Sequence, residues 1–122
     1  MSKTAEHFAQ ALFDAEQSRQ VIAPIRAALG EQASVDDAYA IQDINTERAL
    51  KNGRRLVGRK IGLTSVAVQK QLGVDSPDFG MLFADMAYGD SEAIPAGKLI
   101  QPKVEAEIAL VLKADLSQAK HT

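Results

Sequence analysis

The stretch Gly53-Arg54-Arg55-Leu56-Val57-Gly58-Arg59-Lys60-Ile61-Gly62-Leu63 marks the point where the apolar period shortens. Before it, apolar residues recur about every 3.6 residues, as on one face of a helix; after Gly53 they alternate about every 2, as in a strand. Upstream, Ala5, Phe8, Ala9, Leu12 and Phe13 share a helical face, and Pro24 falls in a connection or a first turn. Ser34 followed three residues later by Asp37 has the pattern of a capping box, and Val35, Ala38, Ile41 and Ile44 continue a second helix. Asn52 and Gly53 stop it. Downstream, Val57, Arg59, Ile61 and Leu63 alternate with Leu56, Gly58, Lys60 and Gly62 in a strand. Thr64 or Ser65 caps a short helix that runs through Leu72 and ends at Gly73. Asp75, Ser76, Pro77 and Asp78 make residues 74–80 a loop, and Met81 to Ala84 a short strand. After the punctuation of Gly89, Asp90, Pro95 and Gly97, the longest strand pattern runs from Val104 to Leu112. The class is therefore α+β, with a helical region over residues 1–52 and a β-rich region over 53–122.

The length and apolar content of Val104–Leu112 predict a central strand covered on both faces. The few strands before it do not suffice to cover it. The sheet is expected to be incomplete within these 122 residues and to be finished by a longer chain or by another subunit. Composition is that of an ordinary globular domain, 46% hydrophobic and 25% charged, so disorder is not expected. Fourteen basic against sixteen acidic residues give a net charge of -2, without long-range attraction to nucleic acid or an anionic membrane. The absence of cysteine excludes disulfides and thiolate metal sites. Met1 to Gln10 carries Glu6 and His7 and no apolar run, so no signal peptide is expected. No stretch approaches the roughly 18 apolar residues of a membrane span, and a cytoplasmic protein follows as the default.

Two constellations carry chemistry. In Val104-Glu105-Ala106-Glu107-Ile108-Ala109-Leu110-Val111-Leu112, Glu105 and Glu107 share a strand face with Ala109 and Val111. Residues two apart on a strand stand about 6.6 Å from each other. Two carboxylates at that spacing can lean onto one cation whose oxygen ligands lie at about 2.0–2.6 Å. The alternative is a solvated face that happens to carry two glutamates. Ala109 and Val111 weigh against it, because a covered pair of bare glutamates repels and loses hydration. With no histidine nearby, Mg or Mn fits better than Zn.

The second constellation is Gly58-Arg59-Lys60-Ile61-Gly62-Leu63-Thr64-Ser65. Lys60 lies on the strand face of Gly58 and Gly62, which leaves room for a ligand against the backbone with a cation beside it. Thr64 and Ser65 open a helix whose free N–H groups favour a carboxylate or phosphate. A surface lysine on an edge strand is the plain alternative. Lys51, Arg54, Arg55, Arg59 and Lys60 form a basic run, but it lacks interleaved aromatics and reads as a solvated patch. Asp78-Phe79-Gly80 spells a kinase triplet without the other kinase motifs. Asp78 is a loop carboxylate or a turn cap. His7 and His121 have no partner that the sequence names.

VGRKIGLTS (Val57 to Ser65), GVDSPDFG (Gly73 to Gly80), LFADM (Leu82 to Met86) and QPKVEAEIALVL (Gln101 to Leu112) occur in one order, with DAYAIQ (Asp37 to Gln42) upstream. Together they resemble the 2-keto-4-pentenoate hydratases of the fumarylacetoacetate hydrolase superfamily. The resemblance covers nearly the whole chain and about the first half of a family member. It implies N-terminal helices followed by the first part of a mixed β-sheet or β-roll. It also implies a cation, Mg or Mn, that chelates the carboxylate and 2-oxo group of a 2-hydroxypenta-2,4-dienoate-type acid, with tautomerisation and addition of water at C4 to give 4-hydroxy-2-oxopentanoate. Glu105 and Glu107 match two metal ligands, Lys60 the active-site lysine, Asp78 an acidic loop position near the substrate, and Leu63, Thr64 and Ser65 the substrate-binding turn. Members are cytosolic homo-oligomers of bacterial aromatic catabolism. The family's third carboxylate ligand comes after the glutamate strand, and residues 114–122 offer only Asp115, too close in sequence. Two further expectations stand beside the hydratase. One is a non-catalytic truncated remnant or assembly subunit. The other is a 4-oxalocrotonate-type decarboxylase, whose family shares GLTS and the E-x-E strand, while VDSPDFG and EAE are closer to the hydratases.

Overall fold

The computed structural model describes residues 3–117, so His121 lies outside it. Its elements in chain order are α1 (Lys3–Ser18), α2 (Ile25–Leu29), α3 (Val35–Lys51), β1 (Leu56–Gly62), α4 (Val66–Leu72) and β2 (Asp78–Phe83). Two 3₁₀ turns follow, at Ala84–Met86 and Ala96–Lys98.

The start of α3 is set locally. The Ser34 hydroxyl accepts from the Asp37 N–H at 3.1 Å, and the Asp37 carboxylate accepts from the Ser34 N–H at 2.9 Å. This reciprocal pair satisfies two of the donors that a helix start leaves open. The hydrogen bond from the Ser34 backbone, helped by the Ser34 hydroxyl, holds the Asp37 carboxyl below its usual range. Its contribution to stability is therefore complete above the ordinary carboxylate pKa of 3.8 and fades as the pH falls through the lowered value. Ser34→Ala should cost about 1 kcal/mol of stability. Urea titration at neutral pH measures it, and an unchanged midpoint would show that the box does not anchor α3.

Helices α1 and α3 pack through Phe8, Ala9 and Ile41, with Ala5, Ile25, Leu29 and Ile44 around them. Pro24 serves as the N-cap of α2. The α1–α3 seam is tied by Asn45 Nδ2 donating to the Ala9 carbonyl at 2.9 Å and by the Arg48 guanidinium over the Phe13 ring at 4.3 Å. Val35, read as part of the apolar stripe, is exposed; only the later turns of α3 reach the core.

Strands β1 and β2 pair antiparallel, Lys60 opposite Gly80 and Gly62 opposite Asp78, with an irregularity between Leu56 and Gly58. Two readings of the sequence are corrected here. Asp78 to Gly80 are the first residues of β2 and not loop, because the loop ends at Pro77 and the cross-strand partners Gly62, Ile61 and Lys60 take up their backbone. Among the described residues, Val104–Leu112 is not a strand, and the sheet holds β1 and β2 alone. Val104 is 99% exposed, Ile108 92% and Val111 97%, so nothing described covers either face. A strand needs a partner for its N–H and C=O groups and a layer for its apolar side chains. These residues have neither here. The accessible surface of 10450 Å² reflects this. A folded monomer of this mass exposes roughly 6,400 Å².

Candidate functional site

The hairpin gathers one group of functional side chains. On the β1 face of Gly58, Lys60 and Gly62, the partners across the ladder are Leu82, Gly80 and Asp78. Lys60 Nζ lies 3.5 Å from Asp78 Oδ1, a diagonal pair with both side chains about half exposed. Its stem runs over Gly80, where an added Cβ would meet Lys60 Cγ at 3.1 Å. Its head lies over Gly62, where an added Cβ would meet Lys60 Nζ at 2.5 Å and the Asp78 carboxylate closer still. The two glycines are thus a floor on which lysine and aspartate meet.

This arrangement makes a prediction. In Gly62→Ala the fold should persist, with a loss within about 1 kcal/mol, because the atoms displaced are the free ends of side chains. The Lys60–Asp78 pair should separate, and a crystal structure of the variant reads that directly. A pair unmoved from 3.5 Å would remove the floor from the account.

Leu63 leaves β1 with φ of 53°, a left-handed value that is unfavourable for a residue with a Cβ. Its carbonyl accepts the side-chain amide of Gln69 from α4. Ser65 is the N-cap of α4, and its side chain makes no capping hydrogen bond. On the outer edge of β2, the Phe79 N–H donates to the Tyr39 hydroxyl at 3.0 Å and the Phe79 carbonyl accepts from Gln42 Nε2 at 3.2 Å. Helix α3 therefore grips the peptide next to Asp78. The sequence gives no sign of the Gln69 contact or of the hydrogen bonds of Tyr39 and Gln42 to Phe79; DAYAIQ is legible only as a pattern, without a role for either residue.

The basic run is largely committed within the molecule. Arg54 pairs with Asp85 at 3.0 Å and Glu16 at 3.7 Å and stacks over the Phe83 ring at 4.4 Å, and Lys51 pairs with Glu47. Burial pulls the Asp85 carboxyl upward, but the hydrogen bond and charge of Arg54 outweigh it and hold it below the usual carboxylate range. His7 packs edge-on against Phe8.

Glu105 and Glu107 are exposed, on the segment without a strand partner. Among the described residues no three metal-ligating side chains cluster. The donor chemistry fits a hard, oxygen-loving cation, but two carboxylates fill only part of its roughly six positions. No helix among the described residues is long and apolar enough to cross a membrane.

The fold matches 4-oxalocrotonate decarboxylase from Pseudomonas putida G7. In the structure with magnesium and adipate the TM-score is 0.62 at 30% identity, over 66% of this chain and 30% of that one. In the structure with calcium and acetate it is 0.62 at 28% identity, over 68% and 32%. The class defined by fold and hairpin is thus the α+β architecture of that decarboxylase, of which this chain holds a part. No family model matches the chain. In sequence the particular likeness is to the 2-keto-4-pentenoate hydratases. Identity is 68% over 101 residues with 2-keto-4-pentenoate hydratase 2 of Dechloromonas aromatica, covering 83% of this chain and 38% of the relative. It is 61% over 117 residues with the 2-keto-4-pentenoate hydratase of Paraburkholderia phymatum, covering 96% and 44%. With the 2-hydroxypent-2,4-dienoate hydratase of Pseudomonas putida it is 48% over 106 residues, covering 86% and 47%. The chain spans about two fifths of the length of the relatives it matches.

Proposed function

We propose that this chain contributes the lysine–aspartate pair and two metal-ligating carboxylates of a cation-dependent hydratase, which adds water to 2-hydroxypenta-2,4-dienoate to give 4-hydroxy-2-oxopentanoate. The observation that carries the reading is the Lys60–Asp78 pair on its glycine floor, in a chain 68% identical to a named hydratase over 101 residues. The overall change moves a proton from the C2 hydroxyl to C5 and then adds water across C3 and C4. Lys60 handles the proton at the substrate's C2 oxygen, and Asp78 aligns its Nζ. Leu63, Thr64 and Ser65, which follow Gly62 in the chain, would orient the acid. Glu105 and Glu107 would hold the cation, Mg or Mn, which when bound supplies Lewis-acid polarisation of the substrate's oxygens. In this reading the working protein is a cytoplasmic homo-oligomer, with the helices of residues 1–52 flanking a catalytic β-rich domain that begins at residue 53.

A decarboxylase of the same architecture is the second reading, favoured by the structural likeness. The identity to hydratases is twice as high and favours hydration.

The division of labour is testable on the chain itself. Residues 1–122 alone should show little or no hydration of the dienoate with added Mn, because two carboxylates leave most of the ion's shell to water. Light scattering should find self-association, driven by the apolar side chains of Val104–Leu112. A soluble monomer with ordinary turnover would contradict this. Activity is to be restored by grafting these residues in place of the segment they match in the Dechloromonas aromatica enzyme. A folded graft without turnover at saturating Mg or Mn would count against the hydratase reading.

A further inference from the structure

We propose that Gln69 is a positioning residue, which holds Leu63 left-handed from α4 and so sets the bend that presents Thr64 and Ser65 beside the glycine floor. The catalytic consequence rests on the hydratase reading; the structural one does not.

Leu63 directly follows Gly62, on which the Lys60 and Asp78 heads meet. With φ of 53° and a bulky side chain, it occupies a backbone region that glycine or asparagine takes at lower cost. Such a conformation persists only where neighbouring groups over-determine it. Gln69 is the neighbour that does so. Its own backbone is pinned in α4, its N–H donating to the Ser65 carbonyl at 2.9 Å and its carbonyl accepting from the Val74 N–H at 3.0 Å. Its side-chain amide then donates to the Leu63 carbonyl in a half-buried setting, where a lost partner is felt more than on the surface. Helix α4 closes with Gly73 in the left-handed conformation, its N–H donating to the Gln69 and Lys70 carbonyls. Without the amide, Leu63 is free to return to negative φ, which redirects Thr64 and Ser65 while leaving the β1–β2 ladder intact. This is a defect of presentation and not of proton transfer.

The test is a double-mutant cycle of Gln69→Met, which keeps the stem and removes the donor, and Leu63→Gly, which removes the penalty for positive φ. In the 122-residue chain, at one fixed low protein concentration, urea unfolding should show a lower midpoint for Gln69→Met. The loss should be larger in the Leu63→Gly background, because there no relief of backbone strain offsets the missing hydrogen bond. An equal or smaller loss in the Leu63→Gly background, or none in either, overturns the proposal. In the graft, Gln69→Met should raise KM for the dienoate about tenfold and leave kcat within about threefold. An unchanged KM beside a positive unfolding cycle overturns the positioning role. Should the parent graft show no turnover, the hydratase reading fails, and the unfolding cycle alone still decides whether Gln69 holds the bend.

Discussion

Glu105→Gln in the graft should bring metal-dependent hydration below detection at ordinary Mg or Mn concentrations, and Glu107→Gln should do the same. Glutamine keeps the length and an oxygen donor but withdraws one negative charge from a hard divalent ion, which favours anionic oxygen. Since this chain contributes only two carboxylates to the proposed shell, losing either halves its anionic share. Isothermal titration with Mn separates loss of the ion from loss of chemistry, and affinity should fall together with turnover. Undiminished activity at saturating metal would return both glutamates to the solvated face that their exposure in the isolated chain already shows.

Lys60→Met should act differently, lowering turnover by about 10²-fold or more with Mn affinity nearly unchanged. The lysine stands over glycine next to Asp78, on the hairpin and not on the glutamate segment. Its proposed work is on the substrate's C2 oxygen. Methionine preserves the stem over Gly80, so the hairpin should keep its stability; an exposed ion pair of this kind contributes little to folding. Turnover surviving within about threefold would make Lys60 a plain surface lysine.

What the sequence disclosed follows the range of the forces involved. The Ser34–Asp37 box, the stop at Asn52–Gly53 and the Gly73 terminus of α4 are local, and each was legible from a few neighbouring residues. The alternation that puts Lys60 on one face with Gly62 is local too and offers one of the two floor glycines, while Gly80 and Asp78 join only across the ladder and Gly58 faces Leu82 instead. Asp78-Phe79-Gly80 looked like loop because its residue types favour turns, and only pairing with Lys60–Gly62 across the ladder makes it a strand. Val104–Leu112 failed in the opposite sense. Its residue types favour a strand strongly, yet no described residue offers it a neighbour. The grip of Tyr39 and Gln42 on Phe79, and of Gln69 on Leu63, joins residues whose proximity depends on tertiary packing or on an uncommon φ, and no period or motif announces it.

The most direct measurement offers two substrates to the graft with saturating Mg and identifies the products by NMR. The account predicts that 2-hydroxypenta-2,4-dienoate becomes 4-hydroxy-2-oxopentanoate, that chelation of the cation stops the reaction, and that 4-oxalocrotonate releases no carbon dioxide above background. Carbon dioxide released from 4-oxalocrotonate with the dienoate left unhydrated would contradict it and assign these residues to a decarboxylase.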